Sequence, residues 1–231
     1  MAHSMDSRAW REELTQPDWY LRLFPRYEEL AAIPEALEEI YALVEEQLGA
    51  GEIALGTTGP DWDRERKPID TIVVHHTHCP PEITRSRLSA MHLLRLYAAN
   101  YASPAPSEYH TQGDPIYSHH FHDGRQVFYA YHFIVRMDGS VERLLSDNEI
   151  GWQAGKWEVN CRSVGIVLDN DLEDVTPPDV ALDGLAQLIR EHYPHVSHDR
   201  IFGHREVNPK TTCPSEHFLS GWKKELLTRL S

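Results

Sequence analysis

Ile201–Pro214 reads IFGHREVNPKTTCP, and the rest of the chain is best read outward from it. A histidine (His204), a lysine (Lys210) and a cysteine (Cys213) stand close together in a loop punctuated by Pro209 and Pro214, just after a short apolar stretch, Ile201–Gly203, that reads as a strand. A His and a Cys this close can both reach one borderline-soft cation, and Zn2+ is the usual occupant of such a pair. Two ligands make no site, so a third must come from elsewhere. The strongest candidate lies far upstream in Thr71–Cys79, TIVVHHTHC, where a β-branched run delivers His75 and His76 at the end of a buried strand. Neighbouring residues of a strand point to opposite faces, so only one of these two histidines can face a shared site. A His, His, Cys set leaves one zinc position for water, which is the catalytic arrangement rather than the closed structural one.

Further strands and helices frame these two stretches. Ser163–Leu168 (SVGIVL) is a second buried-type strand. Val127–Arg136 (VFYAYHFIVR) alternates as a strand does, Met137–Ser140 (MDGS) supplies a tight turn, and Val141–Leu145 returns, which predicts a β-hairpin. Apolar residues at helical spacing predict a helix over Thr84–Asn100 (Leu88, Met91, Leu94, Tyr97) and another over Ser215–Leu230 (Phe218, Leu219, Trp222, Leu226, Leu230). A third, with Leu182, Leu185, Ile189 and Tyr193 inward, is expected to be capped by Thr176 with Pro177 at its first position. Strands alternating with helices, interrupted by one hairpin, predict an α/β fold with a central mixed β-sheet flanked by helices. Asp18–Gly49 reads as two helices broken at Pro34, so residues 1–51 are expected to form an N-terminal helical extension and residues 52–231 the main domain. Gly151–Asn160 reads as a loop carrying Trp152 and Trp157. Tyr101–Gln126 has no clear period, and its His110, His119, His120 and His122 are expected to be solvated.

Composition excludes several classes. A formal charge of −14 argues against a nucleic-acid partner, whose binding rests on phosphate neutralisation. Three cysteines, Cys79, Cys161 and Cys213, are an odd number without framework spacing, which leaves thiols for metal or burial rather than for disulfides. No stretch approaches the length of a membrane-spanning helix. The N-terminal segment is charged throughout and lacks an apolar core with a small-residue cleavage site, so no secretory signal is expected. The HExxH, G-x-S-x-G, Walker A and PCxxC signatures are absent.

Taken in order, TIVVHHT, YHFIVRMDGSV, GWQAG, NCRSVGIVL and IFGHREVNPKTTCP resemble the type 2 N-acetylmuramoyl-L-alanine amidases, a superfamily that also includes phage lysozyme amidases and peptidoglycan recognition proteins. The likeness covers roughly Thr71–Leu230. It implies one Zn2+ per chain held by His75, His204 and Cys213, with Lys210 as the catalytic lysine and Tyr131 beside the metal. It further implies zinc-dependent hydrolysis of the amide between N-acetylmuramic acid and L-alanine, with peptidoglycan or its muropeptides as the partner. Trp152, Trp157, Asn160 and His76 are the candidate substrate contacts, while His132 is expected to point away from the site. Two departures stand out. Val167 occupies the place of a glutamate base found in many bacterial members, with Asp169 two residues on, which assigns the chain to the tyrosine and lysine type. Gln153 stands where many relatives carry a histidine, a change expected to bear on substrate contacts rather than on the metal. The rival reading is a muropeptide-binding module without hydrolysis; such members generally lose the cysteine ligand, so Cys213 favours the enzyme.

Overall fold

Strands rich in β-branched residues with no polar alternation are buried on both faces, the habit of parallel sheets. The computed structural model describes residues 6–81, 88–105 and 110–231. In it β1 (Thr71–His76), β2 (Phe133–Val135), β3 (Val141–Arg143), β4 (Ser163–Leu168) and β5 (Ile201–Gly203) form one mixed sheet in the order β3-β2-β4-β1-β5. Every residue of β1 and β4 is buried, and the two run parallel with Thr71 opposite Ser163 and His76 opposite Leu168. On the other side of β1, β5 is also parallel, with Val74 opposite Gly203.

The two faces of β1 go to different neighbours. Ile72 and Val74, with Val164, Ile166 and Leu168 of β4, pack on Leu182, Leu185 and Ile189 of helix Asp179–His192 and on Trp222 and Leu226. Val73 faces the other way, against Ala154 and Val207. His75 shares the side of Val73 by the two-residue alternation, and His76 shares that of Val74. Full burial of each of these aliphatic side chains contributes about 1.5–3 kcal/mol.

Several expectations shift in detail. The hairpin is present, with Val135 opposite Val141 and the turn held by Asp138 Oδ1, which accepts from Ser140 N–H at 3.0 Å. Its first strand is only Phe133–Val135: at His132 the backbone still bonds to Gly165 and Leu144 (both 2.8 Å), but the ring Nδ1 takes the Gly165 N–H (3.1 Å) and Nε2 meets the Glu149 carbonyl (3.0 Å). The helix expected from Thr176 instead has Pro178 at its N-cap. The C-terminal helix passes through a π-helical turn at Phe218–Trp222 before Lys223–Leu230, and that wider turn leaves Leu219 half-exposed. Trp157–Asn160 is a short helical turn within the expected loop.

The chain divides into two compact units: Met1–Asp61 with Ser86–Phe128, and Trp62–Arg85 with Tyr129–Ser231, the latter containing the sheet. In the first unit, helices Ser7–Leu14, Trp19–Leu30 and Pro34–Ala50 bury Trp10, Leu14, Trp19, Tyr20, Ile40, Tyr41 and Val44. Pro34 opens the third helix at a position whose N–H has no partner in any helix, and Gly51 closes it with φ +73°. Ser7–Leu14, unforeseen in the sequence, is started by Asp6, whose Oδ1 accepts from Ala9 N–H at 3.2 Å. The Tyr20 hydroxyl donates to the Asp114 carbonyl and accepts from Gly113 N–H, both at 2.8 Å, which ties helix Trp19–Leu30 to the loop before the histidine cluster. Of the helix expected over Thr84–Asn100, residues 84–87 lie outside the described residues; from Leu88 it continues through a π-helical stretch, Leu93–Ala98, to Ala102. The loop histidines are less solvated than expected. His110 is buried and stacks on Tyr101 (4.5 Å between ring centres), and His120 is fully buried. Phe121–His122 and Arg125–Gln126 form a short ribbon around Asp123 and Gly124. Among the described residues no helix is long and apolar enough to cross a membrane.

His92, buried beneath these helices, has its imidazole pushed down to about 3, first by burial and then by the neighbouring Arg95 cation. In the unfolded chain its pKa returns to the ordinary value of 6.5, so between these limits the unfolded state binds the proton and the folded state does not. The denaturant midpoint is therefore expected to fall as pH drops from about 6.5 towards 3, and His92→Gln is expected to flatten part of that fall. A variant slope equal to that of the parent chain would place the proton uptake elsewhere.

Candidate metal centre

The parallel register of β1 with β5 builds the site. Because Val74 lies opposite Gly203, the residue after each, His75 and His204, sits at the same end of the sheet. Their ring centres are 4.7 Å apart. His204 opens the helical turn His204–Val207, after which the chain passes Asn208 and Pro209 and returns Cys213 to the end of β1. Cys213 Sγ lies 3.6 Å from His75 Nδ1, and the backbone N–H of His76 donates to the same sulfur at 3.5 Å. Arg205 N–H donates to the Cys213 carbonyl at 2.7 Å and fixes the returning segment. One donor atom from each of His75, His204 and Cys213 can be chosen so that all three lie within 4.8 Å of one another.

The donors suit a zinc ion. Nitrogen and sulfur ligands placed tetrahedrally at zinc bond lengths stand about 3.6 Å apart, which is the observed His75–Cys213 separation. His75 is fully buried and Cys213 nearly so. Burial pushes the His204 imidazole down to about 4, partly opposed by a hydrogen bond to the Ala154 backbone, so the ring is neutral at neutral pH. Its Nε2 is buried and has no hydrogen-bond partner among the described residues. A buried imidazole nitrogen left without a donor is costly, and a cation at that point removes the cost. Two imidazoles and a thiol are a borderline-soft set of the kind Zn2+ takes.

Around the three donors, Tyr131 is half-buried with its ring 4.8 Å from that of His75. Lys210 is exposed on the loop between His204 and Cys213, where its backbone N–H donates to Asn208 Oδ1 at 3.1 Å. His76 belongs to a different surface: its Nδ1 accepts from Leu172 N–H at 2.9 Å, and its Nε2 is 3.7 Å from Glu173. His78 and Asp171 approach it there, yet the Leu172 N–H already occupies the Nδ1 lone pair that a cation between them would need. Trp152 stacks on the buried Trp62 at 4.3 Å, and Trp157 donates its indole N–H to Glu65. Asn160 is buried, with its Oδ1 accepting from Gln153 N–H (3.3 Å) and Ala154 N–H (2.8 Å). Asp169, buried at the end of β4, is held by Arg136 at 2.7 Å. One contact was invisible in the sequence: Gln153 Oε1 lies 2.6 Å from His75 Nε2. Only the replacement of histidine by glutamine in GWQAG marked that position at all.

The site can be set beside known proteins. The 1,6-anhydro-N-acetylmuramyl-L-alanine amidase AmpD of Haemophilus influenzae is 23% identical over 178 residues, covering 72% of this chain and 87% of that protein. Among solved structures, the N-acetylmuramoyl-L-alanine amidase LysC of Clostridium intestinale is 20% identical with a TM-score of 0.49, covering 76% of this chain and 93% of the other. Drosophila PGRP-LB is 22% identical with a TM-score of 0.46, covering 77% and 89% respectively. The span from the 3-10 turn at Trp62–Glu65 to the loop beyond Cys213 is the part that a known family describes: residues 65–216 match the N-acetylmuramoyl-L-alanine amidases, and the chain belongs to that family.

Proposed function

We propose that this chain is a zinc-dependent amidase that cuts the bond between N-acetylmuramic acid and L-alanine in peptidoglycan or its fragments. The observation that carries the reading is the convergence of His75, His204 and Cys213, distant along the backbone, with one donor atom of each within 4.8 Å of the others. The named activity of the Haemophilus influenzae relative supports the substrate class.

In this reading one Zn2+ is held by His75, His204 and Cys213. When bound, the ion supplies a Lewis acid that polarises the scissile carbonyl and brings the ionisation of water close to neutral pH. The protein supplies the rest. His204 is neutral at neutral pH because of its burial, so no proton need leave it before it binds. Tyr131, with its ring against His75, offers a hydroxyl donor to the carbonyl oxygen or to the attacking water. Lys210, exposed on its loop, offers a cation for the negative charge that develops on that oxygen. Trp152 and Trp157 offer indole faces to the sugar or stem peptide, and His76 presents its Nε2 edge beside Glu173. Asn160 contributes by holding the Gln153–Ala154 loop.

Digests of defined muropeptides, read by mass spectrometry with and without a chelator, test the activity directly. Free L-alanine amino termini are expected only without chelator. His204→Ala or Cys213→Ala is expected to lose zinc and to lower kcat/KM by about a thousandfold or more, as removal of a Lewis acid worth several kcal/mol implies. Stoichiometric zinc without any cleavage would instead assign the chain to muropeptide binding.

Lys210→Ala is expected to retain zinc and to lower kcat by about 10²–10³, the effect of removing one oxyanion donor. Lys210→Arg is expected to recover part of that loss. Unchanged turnover in the alanine variant would remove Lys210 from the mechanism.

A further inference from the structure

We infer that Gln153 is a positioning clamp that sets the tautomer of His75 before any metal arrives, and that Asn160 holds the clamp shut. The inference rests on the reading of His75 as a metal ligand.

Each imidazole has two nitrogens, and a neutral ring carries a proton on only one of them. A histidine can ligate through the nitrogen without the proton, so whatever accepts the other N–H decides which nitrogen faces the cation. For His75 that acceptor is Gln153 Oε1, 2.6 Å from Nε2. The amide of Gln153 is itself oriented, because its N–H2 end donates to the buried Ser163 Oγ at 2.8 Å and leaves the oxygen for the histidine. The His75 proton then sits on Nε2, and the lone pair remains on Nδ1, the atom facing Cys213.

The loop is itself fixed. Asn160 Oδ1 accepts the backbone N–H of both Gln153 and Ala154. Space for the glutamine side chain comes from Gly165 on β4, where an added Cβ would stand 2.8 Å from Gln153 Cγ. A buried glutamine whose two ends are both engaged, over a strand glycine that makes room for it, serves more than packing. The exchange of histidine for glutamine in GWQAG thus falls beside the metal donors.

The clamp is tested by the ring 15N shifts of His75 in metal-free parent protein, together with zinc affinity measured by competition with a chromophoric chelator at fixed pH. The expected result is an Nε2–H tautomer at His75 without metal. Gln153→Met and Asn160→Leu, which remove the acceptors, are expected to weaken zinc binding about 10–100-fold, the usual cost of losing such a partner. Gln153→Glu and Asn160→Asp, which keep an acceptor oxygen, are expected to bind within about threefold of the parent. Mixed tautomers in the metal-free protein, or parent-like zinc affinity in Gln153→Met, would overturn the clamp. A parent chain that takes up no zinc would sink the metal reading, while the tautomers would still decide the clamp.

Discussion

The pairing of β1 with β5 is the constraint from which the chemistry follows. Strands place side chains alternately on two faces, so a shift of one residue would exchange His75 for His76 at the site. The register is held because both neighbours of β1 are parallel and fully packed: Ile72 and Val74 fit the helix face, and Val73 meets Ala154 and Val207. A slipped strand would put His75 into the aliphatic layer and His76 beside Cys213, at a cost of buried polar groups without partners. The same apolar packing that stabilises the sheet therefore selects which histidine meets His204 and Cys213.

Around that fixed point the protein separates two jobs that polar side chains often share. Asp169 and Arg136 pair with each other at the end of β4, and His132 is committed to Gly165 and Glu149, so these charged or polar groups hold the sheet together. The three donors that converge on the proposed cation site are two imidazoles and one sulfur. Such a set keeps a net positive charge on a bound divalent ion, which favours Lewis acidity. The glutamate seen in many bacterial relatives has no counterpart in β4, where Val167 packs into the core instead.

Much of this was legible in the residues, and the failures have physical causes. TIVVHH and SVGIVL announced buried strands because nothing in them alternates with polar residues, and both strands are present with nearly the expected limits. Alternation alone could not say which histidine faces inward, since the face of a strand is set by its partners and not by its own sequence. VFYAYHFIVR alternates over its whole length yet pairs only over Phe133–Val135, because the His132 ring takes the Gly165 N–H that would continue the ladder. Leu219 had the spacing of a core residue until the π-helical turn rotated it outward. Gln153 left no periodic trace, as a buried amide is defined by what it touches, and its partners lie on other elements.

The separation of the donors along the backbone has a consequence for the order in which the molecule assembles. His75 and Cys213 are 138 residues apart, and their meeting requires β1 to have been flanked by a parallel strand contributed from the last third of the chain. Contacts of such long range are closed late, because the entropy of the intervening segment must first be spent. Of the three proposed ligands, only His204 and Cys213 are near neighbours along the backbone, too few to fix one site before the sheet forms. Capture of the proposed ion at this site then follows completion of the sheet, in contrast to zinc fingers, where the ion organises the polypeptide around itself.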